Sequence, residues 1–203
     1  MMRDTLVDVL VQRLNNRTDL RDAIITEMQI AQTFRLEQHG RFQPWFLITE
    51  LATEITEINE QRVPEPNDFI IEVEEQALWV QNTAGKWKKL TKGAEDDLQL
   101  KWGDAEGLPQ NYAFVGSVFI MYPIPDAMYP LRMRYAAAQG SLATNIENGW
   151  TKYAGDLLIA EVGAAIAAQT MQNPTLAPAW DRLQTLHEAR QHTNRSYTMG
   201  EEE

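Results

Sequence analysis

The chain of 203 residues contains no cysteine. That excludes disulfides and thiolate metal sites, and it fits a reducing compartment. Histidine is scarce as well, with three in all. His187 and His192 have no carboxylate at a ligand spacing between them, His39 is isolated, and there is no HExxH. The nucleophile elbow GxSxG, the phosphate-binding P-loop and the dinucleotide fingerprint GxGxxG are all missing. No run approaches the ~20 apolar residues that a membrane span needs. The first residues, MMRDTLVDVL, carry acids where a signal peptide is basic, and no apolar stretch follows. The expectation is a soluble, unexported protein.

Positive charge is the other deficit. Eighteen Lys and Arg face 29 Asp and Glu, giving a net charge of −11. The imbalance is concentrated: residues 42–110 hold fourteen acids against six bases. Without a basic stripe to neutralise phosphates, sequence-independent grip on nucleic acid is not expected. A dense acidic surface does the opposite, repelling DNA that has to slide past it. As a plain solubilising surface it needs no such role.

What the chain has in quantity is apolar residues, at 44%, with two periodicities. Residues 111–138 form the most apolar non-helical run. Tyr112 to Val115 and Val118 to Tyr122 suit a pleated, half-buried surface, with a turn signal at Gly116-Ser117 between them. Leu131 to Tyr135 alternates apolar and charged with period two. Two or three antiparallel strands are expected here.

Helical spacing marks the start. Leu6, Leu10 and Leu14 predict a helix over Asp4 to Leu14, with Asp4 as its N-cap and Asn15-Asn16 as its end. Thr18 is the expected cap of a second helix with a stripe of Leu20, Ile24, Met28 and Ala31, widened by Ala23, Ile30 and Phe34 and stopped at Gly40. From Phe42 the pattern turns to strand. Pro44 to Ile48 is an aromatic-aliphatic run, and Thr49 to Ile58 favours strand while suiting helix too. Val63 to Asp68, with two prolines, reads as loop. Phe69 to Val73 and Ala77 to Gln81 predict strands, and Thr83-Ala84-Gly85 turns the chain into a return strand at Lys86 to Leu90. Lys92 to Trp102 is a short helix or an acidic loop, and Gly103 to Gln110 a linker.

Beyond the central strands, Asn148 or Gly149 begins the longest apolar helix, Trp150 to Gln172. Its interior is small almost all round, so burial on more than one side is expected. Asn173-Pro174 breaks it, and Leu176, Trp180, Leu183 and Leu186 or His187 mark a last helix. From Gln191 the chain is polar and buries too little to fold alone. The fold class expected is α+β. It has a helical bundle core of an N-terminal helix pair plus two C-terminal helices, residues 1–41 with 139–190. An antiparallel β part occupies 42–138, and a flexible C-terminal arm 191–203.

Catalytic candidates are thin. Glu74-Glu75 and Glu95-Asp96-Asp97 lack the oxygen spacing of a calcium loop, and a solvated acidic face is their simpler reading. Six tryptophans suit core packing as well as ligand stacking. No metal, cofactor or catalytic residue is expected.

The order of elements resembles the head-to-tail adaptor (connector) proteins of tailed bacteriophages. Three stretches carry the resemblance. One is Leu20-Arg21-Asp22-Ala23-Ile24 and Ala31-Gln32 running into Pro44-Trp45-Phe46-Leu47. Another is Tyr112-Ala113-Phe114 through Tyr122-Pro123-Ile124-Pro125-Asp126, then Tyr129-Pro130-Leu131 and Tyr135. The third is Asn148-Gly149-Trp150 and Asp156-Leu157-Leu158 into the alanine-rich run, then Trp180 and the polar tail. The resemblance implies a non-enzymatic virion protein of the neck, present in the host cytoplasm during assembly. It implies a ring, typically twelvefold, that binds the portal protein, receives tail or nozzle proteins and extends the DNA channel without binding DNA specifically. The C-terminal arm would then order on a partner, with Gln191, Arg195, Tyr197 and Met199 as the candidate contacts. Two other readings remain: an enzyme with an unrecognised carboxylate site, such as a phage wall-degrading glycosidase, and a cellular adaptor.

Overall fold

A computed structural model describes residues 1–38, 44–55, 58–73 and 77–170. Within these the chain is mixed α/β, with five α-helices and nine strands in two sheets. It divides into two compact units, one built from Met1–Leu47 with Ala138–Glu203 and the other from Ile48–Ala137. No helix among the described residues is long and apolar enough to cross a membrane.

The first unit is helical in its described part. Helix α1, Arg3–Arg13, buries Leu6, Val7, Leu10 and Val11, the face predicted by their spacing. Its cap is not the expected one: Met2 occupies the N-cap, and Asp4 lies in the first turn, where a carboxylate suits the helix dipole. Residues 142–146 supply the missing acceptors instead. The backbone N–H of Arg3 donates to Ile146 O at 3.3 Å, that of Asp4 donates to Asn145 Oδ1 at 3.1 Å, and Arg3 Nη1 donates to Leu142 O and Ala143 O. Asn15 and Asn16, both at φ 59, end the helix in the left-handed region that asparagine tolerates.

Thr18–Leu20 is a single 3-10 turn leading into α2, Arg21–Ile30, so Thr18 is not its cap. Leu20, Ile24, Met28 and Ala31 are buried as their spacing predicts. Ile30 and Phe34, expected to widen that stripe, are exposed instead. Over Ala31–Gln38 the helix widens to π-helical pairing, which rotates later residues off the 3.6-residue stripe. The expected stop at Gly40 lies outside the described residues.

The long apolar helix is interrupted. Helix α4, Gly149–Tyr153, ends at Ala154, and α5, Gly155–Ala165, begins at once, continuing as a π-helical turn over Ile166–Thr170. A reciprocal capping box starts α4: Thr151 N donates to Asn148 Oδ1 at 3.0 Å, and Asn148 N donates to Thr151 Oγ1 at 2.9 Å. Helix α5 packs on α1 and α2 through Leu157, Leu158, Ile159 and Val162, with Gly163 buried beside them. A Cβ added at Gly155 would stand 3.2 Å from Leu6 Cδ2, so a small residue there lets the two helices close up.

The second unit has three layers. Its larger sheet runs β1 (Ile48–Ile55), β9 (Pro130–Ala137), β4 (Leu78–Gln81), β5 (Trp87–Lys89), with β3 (Phe69–Glu72) also on β9. Every pair in it is antiparallel. The smaller sheet runs β2 (Arg62–Pro64), β8 (Val118–Tyr122), β7 (Asn111–Val115), β6 (Thr91–Lys92), and its β6–β7 pair is parallel. Between the sheets lie Leu78, Val80, Leu131, Met133 and Tyr135 of the first and Tyr112, Phe119 and Met121 of the second. Helix α3, Glu95–Trp102, covers the other face of the smaller sheet, where Leu98 and Trp102 meet Ala113, Ile120 and Tyr122. Strand β8 is thus enclosed on both faces, which is why it reads as an unbroken apolar run.

These layers correct the expected fold class. Strands are too extensive for a helical bundle core with an antiparallel β part, and one of the strand pairs is parallel. The last C-terminal helix and the arm lie outside the described residues. The stretch expected as one group of two or three strands is also divided. The β7–β8 hairpin turns through Gly116 and Ser117, both at positive φ, while β9 crosses to become the centre of the larger sheet. Residues 63–64, expected as loop, pair with β8. Pro64 is tolerated because β2 is an edge strand and Pro64 is its last residue.

Tyr112 ties strands of both sheets together. Its hydroxyl donates to Glu72 Oε1 at 2.8 Å and accepts from Ala77 N–H at 3.1 Å, and burial raises its pKa well above the phenol value. Replacing it with Phe leaves a buried N–H and a shielded carboxylate short of partners. Tyr112→Phe is expected to lower stability by ~1–3 kcal/mol, read as a lower urea midpoint with unchanged slope; an unmoved midpoint would show that water replaces the hydroxyl without loss.

Candidate interaction surfaces

Gln191, Arg195, Tyr197 and Met199, the predicted contacts of the C-terminal arm, lie outside the described residues. So do all three histidines and Glu74-Glu75. Glu95, Asp96 and Asp97 form the first turn of α3, where acids offset the unpaired N–H groups of the helix start. Among the described residues no three His, Asp or Glu side chains converge as metal ligands.

Shielded carboxylates occur in both units and are engaged by donors. In the first, Glu27 and Glu161 both pair with Arg35, and Glu37 is held by hydrogen bonds, as is Glu72 in the second. Glu37 Oε1 accepts from Trp150 Nε1 at 2.7 Å, Gln32 Nε2 at 3.0 Å and Gln139 N–H at 3.3 Å. Burial raises its pKa, and the three donors oppose that rise without cancelling it. Gln32 Oε1 also accepts from Leu142 N–H at 3.0 Å, so the network fastens the end of the N-terminal helices to the segment that begins the C-terminal ones. Glu72, in the second unit, pairs with Lys92 as well as Tyr112. Tyr135 repeats the arrangement, donating to Asp68 Oδ1 at 2.9 Å, and burial followed by that bond pushes its pKa up to about 12. These groups brace structure; none is poised with an unsatisfied oxygen facing an open site.

The outer face of the larger sheet is different. Register places Trp79 opposite Arg132 on one side and Lys89 on the other. The Arg132 guanidinium lies 5.1 Å from the Trp79 ring centre and 4.9 Å from that of Trp87, and Lys89 Nζ lies 5.3 Å from Trp79. Glu50 Oε1 reaches Arg132 Nε at 3.7 Å. Such cation–aromatic contacts stabilise by ~0.5–2 kcal/mol each, and they fix Arg132 on the sheet with little freedom left. Sequence reasoning took Leu131 to Tyr135 for a half-wet strand and Lys86 to Leu90 for a return strand. It did not bring Arg132 between two tryptophans, because that needs the β9–β4 register.

A second exposed cluster belongs to the first unit. Trp45, in a 3-10 turn over Trp45–Leu47, lies 4.7 Å from Tyr153, and Phe46 packs edge-on against buried Trp150 at 5.0 Å. Trp45 and Tyr153 are both exposed. Aromatic groups held this way suit contact with another macromolecule.

No protein-family model matches the chain, and no curated protein matches it. The functional reading therefore rests on the residues themselves.

The Glu37 network predicts a pH effect. A carboxyl whose folded pKa is raised adds stability that is complete below its unfolded pKa and is lost as pH rises through the folded value. The wild-type chain should therefore lose stability relative to Glu37→Gln as pH climbs from about 4 to 7, the amide keeping an acceptor for Trp150. Thermal unfolding of both proteins across that range checks it, and parallel curves would show that Glu37 stays charged at no cost.

Proposed function

We propose that this chain is a head-to-tail adaptor of a tailed bacteriophage, a structural neck protein that assembles as a ring beneath the portal, extends the DNA channel and receives tail or nozzle proteins. The observation that carries the reading is the resemblance of three stretches along the chain. They supply α2, the 3-10 turn at Trp45–Leu47, the β7–β8 hairpin, the start of β9, and α4 with α5, so the likeness falls on the packed parts of both units. The net charge of −11 supports it, since a conduit wall has to repel DNA. In this reading the chain has no catalytic role and no cofactor, and its site of action is the virion neck after assembly in the host cytoplasm.

The test is electron microscopy of native particles decorated with an antibody to the chain, which should label a ring between head and tail; label elsewhere, or none, overturns the reading. A companion experiment addresses the arm. A chain truncated after Arg190 should fold normally and fail to dock on portal-bearing heads. Within the full chain, Tyr197→Ala should weaken docking more than Arg195→Ala, because a rim charge is screened by salt and a buried aromatic is not. Equal docking by the truncated chain would move the contact to the helices or the β unit.

A further inference from the structure

The larger sheet of the second unit ends in two edges of opposite charge. Residues 81–90 carry Lys86, Lys88 and Lys89 and no acid, and they contain edge strand β5. Strand β1 itself, at the opposite edge, carries Glu50 and Glu54 and no base. Among the described residues neither strand has a partner on its outer side. All three residues of β5 are exposed.

We propose that these two edges dock on each other between copies of this chain, β5 of one copy adding to β1 of the next so that the sheet continues across the junction. The proposal rests on the ring reading above and names the contact that would build such a ring.

Three observations carry it. The first is direction. β1, β9, β4 and β5 alternate, each antiparallel to its neighbour. Four alternating strands leave β5 running opposite to β1, so a second copy placed beside the first in the same orientation sets its β1 antiparallel to β5. The antiparallel alternation continues, and the three residues of β5 are short enough to pair with the regular stretch of β1 that precedes its bulge between Leu51 and Glu54.

The second is charge. Two β5 edges could meet about a two-fold axis, and so could two β1 edges, but those contacts set lysines against lysines or glutamates against glutamates. Like charges opposed in this way cost several kcal/mol. Only the mixed contact joins opposite signs, and it is head-to-tail, the kind that closes into a ring when the rotation allows. Lysines on an edge normally deter strand addition; here they deter every strand except an acidic one.

The third is a rigid apolar group at the junction. Trp87 lies on the edge strand and is packed against the Arg132 guanidinium that Trp79 backs. A tryptophan held in place loses little freedom on being covered, and such residues dominate interface energies. Main-chain hydrogen bonds from strand addition supply the rest.

The experiment uses two charge-reversed full-length chains. In one, Lys86→Glu and Lys88→Glu turn the three positive charges of the β5 edge into a net −1, so that both edges are acidic; in the other, Glu50→Lys and Glu54→Lys turn β1 from −2 to +2, so that both are basic. Assembly is read by mass photometry, alone and on portal-bearing heads, with thermal unfolding as the check on folding. Each variant by itself should assemble at least about tenfold more weakly than wild type. An equal mixture should recover assembly, because every junction then joins an acidic edge to a basic one. A misfolded variant cannot produce that mutual rescue. Raised salt should weaken the wild-type assembly as well. Wild-type-like rings from either variant, or a mixture of folded variants that stays dissociated, overturn the edge contact and leave the adaptor reading standing. A wild-type chain that assembles neither alone nor on heads overturns both.

Discussion

Along β9, Leu131, Met133 and Tyr135 alternate with Arg132 and Arg134, and the second unit is organised by what the two faces of that strand require. The inward side chains have to be covered, and the hairpin of β7 and β8 covers them with Tyr112, Phe119 and Met121. The outward arginines have to stay wet or find a partner, and Arg132 finds two tryptophan faces and a glutamate. β9 pairs with β1 on one side and with β3 and β4 on the other, and its period is carried into β4 unbroken and into β1 and β3 up to one irregularity in each, at Leu51/Glu54 and Phe69/Ile71. A one-residue slip would exchange core and solvent faces in every strand it touches.

The first unit depends on polar closure more than on apolar pattern. Its helices carry ordinary stripes, yet the ends of those helices are tied by Arg3, Gln32 and Glu37, each reaching backbone or side chains more than a hundred residues away, and by Asn148, which reaches Gly140 nearby. Buried polar groups that are fully satisfied specify a single arrangement, whereas leaving one unsatisfied is costly. The raised pKa of Glu37 is the sign of that burial.

Local signals were legible where local physics decides. The hairpin turn at Gly116-Ser117, the turn at Gly85, the α2 stripe and both strands of the 111–122 hairpin follow from residue type and spacing. What could not be seen depends on partners far along the chain. β2 exists because β8 offers an edge to a proline-bearing segment, and β9 joins the larger sheet because β1, β3 and β4 converge on it. The stop at Ala154 is followed at once by Gly155, a stop signal that reads equally as one of the small residues of an uninterrupted helix, and the capping of α1 comes from residues 142–146. Helix-like periodicity was also easier to recognise than short strands of two to four residues, which is why the expectation leaned toward a helical core. The predicted partner contacts at 191–199 belong to a segment the described structure does not reach, whereas the Trp79–Arg132–Trp87 stack became visible only with the strand register.

The order of the two units along the chain has a consequence for synthesis. Residues 48–137 form a self-contained unit, and it can fold while the C-terminal residues are still being made. Helices α1 and α2 cannot finish, because α5, on which they pack, follows that whole stretch. At ~5–20 residues per second, the roughly ninety intervening residues take on the order of 5–20 s to emerge. Throughout that interval Leu6, Leu10, Ile24 and Met28 have no α5 to cover them. Until α5 emerges the newborn chain therefore carries an uncovered apolar helix pair, and on a crowded polysome that pair is the surface a holding chaperone meets first.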